Sequence, residues 1–173
     1  MAETIKIRQY QDSDAPELYA AVRESLVELT EWMPWAHAEY TLADATAWIT
    51  TTQNGHADGS MYDFAIVGGE GRYLGGCGLN QISRFNAVAN LGYWVRATAM
   101  GRGVAVKAVK LLSDWAFRNT DLNRLEILAA VKNVRSQRVA EKAGAERDGV
   151  LRKRLMLHGR TTDAVLYSIV RGD

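Results

Sequence analysis

The chain has 173 residues, 47% of them hydrophobic and 24% charged, a composition of folded soluble proteins that excludes intrinsic disorder and collagen-like or low-complexity architectures. Its 21 Lys and Arg against 20 Asp and Glu leave a net charge of +1, which as a total argues against a nucleic-acid or membrane-surface binder. The total hides a division: residues 1 to 86 carry 12 acidic and 5 basic side chains, residues 87 to 173 carry 8 acidic and 16 basic.

A chain of this length buries about 70% of the surface its unfolded form exposes, so residues 1–173 are expected to form one domain that needs no disulfide. The single cysteine, Cys77, excludes an intrachain bridge and points to a reducing compartment. The N-terminal residues have no apolar signal core, and no segment approaches the ~20 apolar residues of a membrane span. A cytoplasmic protein with no membrane partner is expected.

Thr4 to Tyr10 alternates apolar and polar residues and reads as a strand. Asp12, Ser13 and Asp14 before Pro16 open a helix whose stripe is Leu18, Val22, Leu26 and Leu29, interrupted at Trp32 to Trp35 around Pro34. A second helix from Leu42 carries Ala45, Trp48 and Ile49 in register and ends between Gly55 and Gly59. From Met61 the period becomes two: Tyr62, Phe64 and Ile66, a turn at 68 to 71, then a strand over Tyr73 to Ile82. Ala89 to Val95 forms a third strand of this group. A helix over Gly103 to Asn119 follows, with Val104, Ala108, Leu111, Leu112 and Trp115 on one stripe. Leu125 to Val131 is a strand, and a helix from Val134 ends at the C-cap glycine Gly144. Val150 to Leu157 and Ala164 to Val170 close the chain as a hairpin around His158 and Gly159. The order is mixed α/β (α+β), not a doubly wound repeat.

Two segments carry chemistry. The strand Leu91-Gly92-Tyr93-Trp94-Val95 leads through Met100-Gly101-Arg102-Gly103-Val104-Ala105 into the long helix. Two glycines let backbone approach a ligand, and the unpaired N–H groups of a first helical turn attract anions. The pattern lacks the Gly-Lys-Ser/Thr of a Walker A loop and the third glycine of a dinucleotide fingerprint. On local pattern alone it is either a pyrophosphate site or only a tight strand-to-helix turn. The second segment, Asn133 to Gly144, places Asn133 as an N-cap and Ser136 in the first turn. Its Arg135, Arg138 and Lys142 are either anion contacts or a solvated face.

Together, in this order and spacing, these motifs resemble the GNAT superfamily of acetyl-CoA-dependent N-acetyltransferases, closest to its RimJ/RimL-type, ribosomal-protein N-terminal acetyltransferase branch. The resemblance covers nearly the whole chain: the Ile-Arg opening, Trp-Met-Pro-Trp at 32 to 35, Leu-Gly-Tyr-Trp-Val at 91 to 95, Gly-Arg-Gly-Val-Ala at 101 to 105, Asn133 with Ser136, Glu-Lys-Ala-Gly at 141 to 144 and Leu-His-Gly-Arg at 157 to 160. It implies a GNAT fold with a mixed, mostly antiparallel sheet of about seven strands, flanked by helices and splayed at the central strands.

The resemblance also implies roles. Backbone N–H groups of Met100, Gly101, Arg102, Gly103, Val104 and Ala105 would hold the CoA pyrophosphate, and the pantetheine arm would pair with backbone near Trp94 and Val95. Asn133 would bond the pantetheine or thioester end, Arg138 would meet phosphate, and Ser136 would stabilise or protonate the departing thiolate. The family motif begins with Arg or Gln three residues before the first glycine; here Thr98 stands there, so that contact is lost or replaced. The acceptor side would be covered by the first, helical part, with Trp32, Trp35, Tyr40 and Asp63 as candidate pocket residues. Trp48 keeps register with Ala45 and Ile49 and reads as core.

The implied reaction is direct attack of a neutral amine on the acetyl carbonyl in a ternary complex, with a backbone N–H near Val95 steadying the oxyanion. Where some ribosomal-type relatives carry a Glu, this chain has Leu155, leaving the general base open; Asp63, Glu39 and His37 are substitutes by chemistry only. Cys77 has no basic neighbour and reads as a small buried thiol, against an acetyl-cysteine intermediate. His37, His56 and His158 are scattered, so no metal is expected. The expected acceptor is a protein or peptide α-amine, of a ribosomal protein in the branch's pattern, with a homodimer as the expected assembly. Rival readings are acetylation of a small-molecule amine such as an antibiotic or aminoacyl conjugate, a non-catalytic CoA-binding module, and a nucleic-acid binder. The last is disfavoured because no aromatic-interleaved basic stretch occurs.

Overall fold

The computed structural model describes residues 4–172. Seven strands form one sheet: β1 (Lys6–Gln9), β2 (Tyr62–Val67), β3 (Tyr73–Ser83), β4 (Val88–Val95), β5 (Arg124–Ala130), β6 (Glu146–Leu157) and β7 (Arg160–Val170), in the order β1-β2-β3-β4-β5-β7-β6. All neighbours are antiparallel except β4 and β5. The helices are α1 (Ala15–Glu24), α2 (Leu26–Trp32), α3 (Leu42–Asp58), α4 (Val104–Asn119) and α5 (Val134–Ala143). No helix of the described residues is long and apolar enough to cross a membrane.

Strand alternation sends side chains to two separate cores. Phe64, Ile66, Leu74, Leu79, Leu91 and Leu125 pack under α4 and α5 with Val104, Ala108, Leu112 and Ala140. Ala65, Val67 and Tyr73 pack under α1 and α3 with Leu18, Val22, Ala45 and Ile49. The acidic first half thus covers one face of the sheet and the basic second half supplies the helices of the other.

The parallel pair is the shortest junction of the sheet. β4 and β5 are in register only at Val88↔Arg124, Ala89↔Leu125 and Asn90↔Glu126. Beyond Asn90 the strands part: β5 continues along β7 from Ile127 to Ala130, and β4 continues along β3 to Val95. The peptide groups of Leu91 to Val95 that face β5 therefore have no strand partner.

The first helical stripe is not one helix. It breaks at Ser25 (φ −109°, ψ 14°) into α1 and α2. Ser25 is fully buried, and its Oγ accepts the Ala97 N–H at 2.9 Å, so a tertiary contact overrides a periodicity that runs through the break. Trp48 is the second correction: despite its register it is 37% exposed. The closing strands also begin earlier than the apolar run suggests. Register shifts at Arg147/Gly149 and Leu151/Leu155 and the exposure of edge strand β6 disperse its period.

Candidate functional site

The turn after β4 is a single 3-10 turn, Ala97–Ala99, followed by Met100 to Gly103. Gly101 (φ 74°) and Gly103 (φ 77°) are both left-handed, a region that L side chains enter only at a cost. Gly103 is the N-cap of α4, and no side chain caps that helix. The N–H groups heading α4 consequently lack an intrahelical acceptor and sit at the positive end of a 16-residue dipole. The Met100 N–H differs, because the Ala97 carbonyl takes it at 3.2 Å. Beside Gly103, Lys107 and Lys110 of α4 and Lys142 of α5 line a shallow groove. Arg102, Arg135 and Arg138 are solvent-exposed.

Thr98 has a defined partner on α1. Glu24 accepts its N–H at 3.0 Å and its hydroxyl at 2.8 Å, and Arg72 donates to the same hydroxyl at 3.2 Å. Arg96, 8% exposed, donates to Glu24 at 2.6 and 3.2 Å and to the Tyr73 carbonyl at 3.0 Å. Its guanidinium holds the Glu24 carboxyl down at about 2. Where the family pattern begins with a long side chain, this chain pins the approach to the turn onto α1.

α5 begins at Asn133, whose Oδ1 accepts the Ser136 N–H at 3.1 Å. Capping therefore occupies the carbonyl of the Asn133 amide. The Tyr93 hydroxyl on β4 lies 2.9 Å from the Ser136 carbonyl, to which it donates, and 3.0 Å from Ser136 Oγ. Burial pushes the Tyr93 phenol up to about 12, against a smaller opposing effect of Ser136, so it stays protonated at neutral pH. Tyr93 escaped the sequence reading because Leu91, Tyr93 and Val95 form an apolar alternation; only the register of β4 against α5 joins it to Ser136.

The other face of the sheet carries the aromatic residues. The Trp94 ring packs at 5.9 Å from Trp35 and 6.0 Å from Tyr73, and Trp35 lies 6.3 Å from Tyr40. Trp35 is 42% exposed, Trp32 is half-buried and Tyr40 buried. His37 and Glu39 are exposed and 3.6 Å apart. Leu155 pairs with Thr162 in the closing hairpin, whose tip touches α2 through His158 and the Glu31 carbonyl at 3.3 Å.

Asp63 lies on the aromatic face, in a cross-strand row with Gly78 of β3 and Gly92 of β4. A Cβ at Gly78 would collide with Asp63 Oδ1, whereas one at Gly92 would meet nothing. The carboxyl therefore leans over Gly78 toward an open space above Gly92. Its Oδ2 is buried without a hydrogen-bond partner, and desolvation pushes the acid up to about 7. Such a group binds its proton more tightly folded than unfolded. Its contribution to stability is fully present below the unfolded value near 3.8 and is lost as pH rises through 7. Asp63→Asn should accordingly melt above the wild type at pH 8, by an amount on the order of 2–4 kcal/mol, with the difference vanishing toward pH 4 in a series of thermal melts.

Cys77 is buried on the opposite, α4-facing core, and burial pushes its thiol up, leaving little thiolate for nucleophilic attack. Among the described residues no group of three His, Cys, Asp or Glu is arranged to hold a metal ion.

A sheet opened between two parallel strands, with a bare helix N-terminus at the end of one of them, offers a cleft for an extended ligand that ends in an anion. The family described as "Acetyltransferase (GNAT) domain" matches residues 4–146, and the chain belongs to that family of acetyltransferases. It is 29% identical over 176 residues to the putative ribosomal N-acetyltransferase YdaF of Bacillus subtilis, covering 98% of this chain and 92% of that one. Among solved structures it superposes with TM-score 0.89 on the microcin C7 self-immunity acetyltransferase MccE in complex with acetyl-CoA and AMP, at 24% identity over 96% of this chain and 92% of that chain. It superposes equally, TM-score 0.89, on RimL, a ribosomal L7/L12 α-N-protein acetyltransferase in complex with CoA, at 22% identity over 96% of this chain and 94% of that chain.

Proposed function

We propose that the protein transfers the acetyl group of acetyl-CoA to the α-amine of a protein or peptide, ribosomal-protein type, by direct attack within a ternary complex. The observation that carries this reading is the opening between β4 and β5 beyond Asn90, with the uncapped start of α4 at its mouth. The pyrophosphate accepts from the backbone of Gly101 to Ala105, the lysines of the α4 and α5 groove meet the remaining phosphate, and the pantetheine amides pair with the free edge of β4 near Trp94 and Val95. RimL and YdaF, by their names ribosomal acetyltransferases, support the acceptor class.

In this reading Ser136 faces the thioester sulfur. At rest the Tyr93 hydroxyl donates to the Ser136 carbonyl at 2.9 Å and accepts the Ser136 Oγ–H at 3.0 Å; as the C–S bond breaks, the serine hydroxyl turns to donate to the sulfur instead. Holding amine and thioester in line supplies much of the acceleration, and a backbone N–H near Val95 steadies the oxyanion. The amine must be neutral to attack. An α-amine of pKa about 8 is neutral in about a tenth of molecules at pH 7, a lysine amine near 10.4 in fewer than about one in a thousand, which favours the α-amine.

Release of CoA thiol from acetyl-CoA, followed with N-terminal peptides, lysine peptides and amino-sugar antibiotics, tests the reading. Turnover with the N-terminal peptides is expected. Turnover confined to amino sugars would move the enzyme to small amines, and acetyl-CoA binding without release for any acceptor would leave a binding module. Gly103→Val should weaken acetyl-CoA binding at least tenfold by calorimetry, because a β-branched residue is strained at φ 77° and its methyls would stand over the first turn of α4. Unchanged affinity would remove the pyrophosphate from that turn.

A further inference from the structure

We infer that Asp63 receives the acceptor's ammonium group and takes its proton, the open space above Gly92 being the seat of the amine. This rests on the reading above and adds the proton acceptor that it lacks.

Three features of the sheet carry it. Register puts Asp63, Gly78 and Gly92 in one row across β2, β3 and β4. Neighbouring strands are about 4.8 Å apart, so a carboxyl leaning over Gly78 stands about one strand spacing from the space above Gly92. Gly92 lies two residues past Asn90, the last β4 residue paired with β5, so the row leads from the carboxyl to the opening where the thioester would lie. Finally, Asp63 Oδ2 is buried with no partner. No donor inside the fold therefore holds the carboxyl from its Oδ2 side, and the oxygen that leans over Gly78 toward the space above Gly92 is Oδ1, the atom left to receive an ammonium.

The surroundings supply no other cation. The titratable groups around Asp63 are Tyr10 just past β1 and Cys77 on β3, both held protonated by burial, and His56 on α3. The ring of His56 meets the backbone carbonyl of Asp63 at 2.9 Å, not its carboxyl, and packs on Tyr62, Phe64 and Trp115. No salt bridge reaches Asp63 among the described residues, and desolvation alone raises it to about 7, close below an α-ammonium of about 8. A base so placed exchanges a proton with that ammonium at little cost.

The step balances without another reagent. The ammonium gives one proton to the Asp63 carboxylate, and the freed nitrogen pair forms the C–N bond at the acetyl carbon. Collapse of the tetrahedral adduct breaks the C–S bond, the second nitrogen proton ends on the CoA sulfur by way of Ser136, and Asp63 returns its proton to water.

Asp63→Asn, which keeps the shape over Gly78, tests this with an N-terminal peptide as acceptor between pH 5.5 and 9. The expected result is a loss of about 100-fold in kcat/KM at pH 7.5, with acetyl-CoA affinity within twofold of wild type. The rising limb should move from about 7 in the wild type to the acceptor's own value near 8. Gly92→Leu, whose Cβ meets nothing in the fold, should fill the seat: kcat/KM for the peptide falls at least tenfold while acetyl-CoA still binds. An Asp63→Asn enzyme that keeps both rate and limb overturns the inference and leaves the acetyltransferase standing. A wild type that binds acetyl-CoA and acetylates no amine overturns both.

Discussion

Replacing Arg96 with methionine is expected to cost about 2–4 kcal/mol of stability and to lower acetyl-CoA affinity with it. The side chain is nearly buried and answers three groups at once: Glu24 at 2.6 Å, the Tyr73 carbonyl at 3.0 Å and Glu17 at 3.5 Å. Removing one member of such a set strands the others, which is costlier than never having had the pair. Glu24 keeps the Thr98 N–H and hydroxyl and remains partly solvated, which holds the cost below that of a fully buried pair. For a chain of this size the loss corresponds to about 5–15 °C in melting temperature. Its pH signature is specific. Glu24 is held at about 2 against an ordinary 4.5, so its contribution is present above 4.5 and lost as pH falls toward 2. Melts of wild type and variant should therefore converge in acid and separate at neutral pH. The affinity loss follows from position, because Arg96 and Thr98 tie α1 to the segment that enters the Gly101 to Gly103 turn.

Ser136→Ala should lower turnover by about 10–100-fold and leave acetyl-CoA affinity within about twofold. The alanine keeps the backbone N–H that caps onto Asn133 and the carbonyl that Tyr93 holds, so α5 and the binding edge are undisturbed. In the role proposed for Ser136, what disappears is a hydroxyl useful only as negative charge gathers on sulfur, and an interaction made in the transition state alone appears in kcat. Tyr93→Phe should show a smaller loss of the same kind, since it frees the serine rotor without removing it. Single-turnover rates beside calorimetric affinities check both. A Ser136→Ala enzyme of wild-type rate would return the protonation of sulfur to water.

The glycine-bracketed turn, the Asn133 cap with Ser136 and the order of elements were legible in the sequence because each is local. Gly101 and Gly103 announce a left-handed turn by being glycine, and Asn133 announces a helix start by its chemistry. What could not be read depends on register between distant strands. Asp63, Gly78 and Gly92 span thirty positions, and no spacing along the chain says that they form one row. Gly76 and Gly78 look like weak points of β3; the first makes room for Tyr10 and Trp94, whose polar atoms would stand 2.7 and 2.9 Å from a Cβ there, and the second for Asp63. Ser25 was hidden for a similar reason. Its stripe of Leu18, Val22 and Leu29 stays buried across a break made by a hydrogen bond to Ala97, seventy-two residues away. Trp48 misled in the opposite direction, since helical register places a residue on a face but not under a neighbour.

Because α1 and α3 cover one face of the sheet and α4 and α5 the other, the unequal halves of the chain become the two poles of a dipole whose axis crosses the sheet. For the reaction proposed, a polyanionic donor and a cationic acceptor would then be drawn to opposite sides and would not compete for one approach. Ionic strength should slow both encounters together, although a protein of net charge +1 ought, by its total, to be almost indifferent to salt.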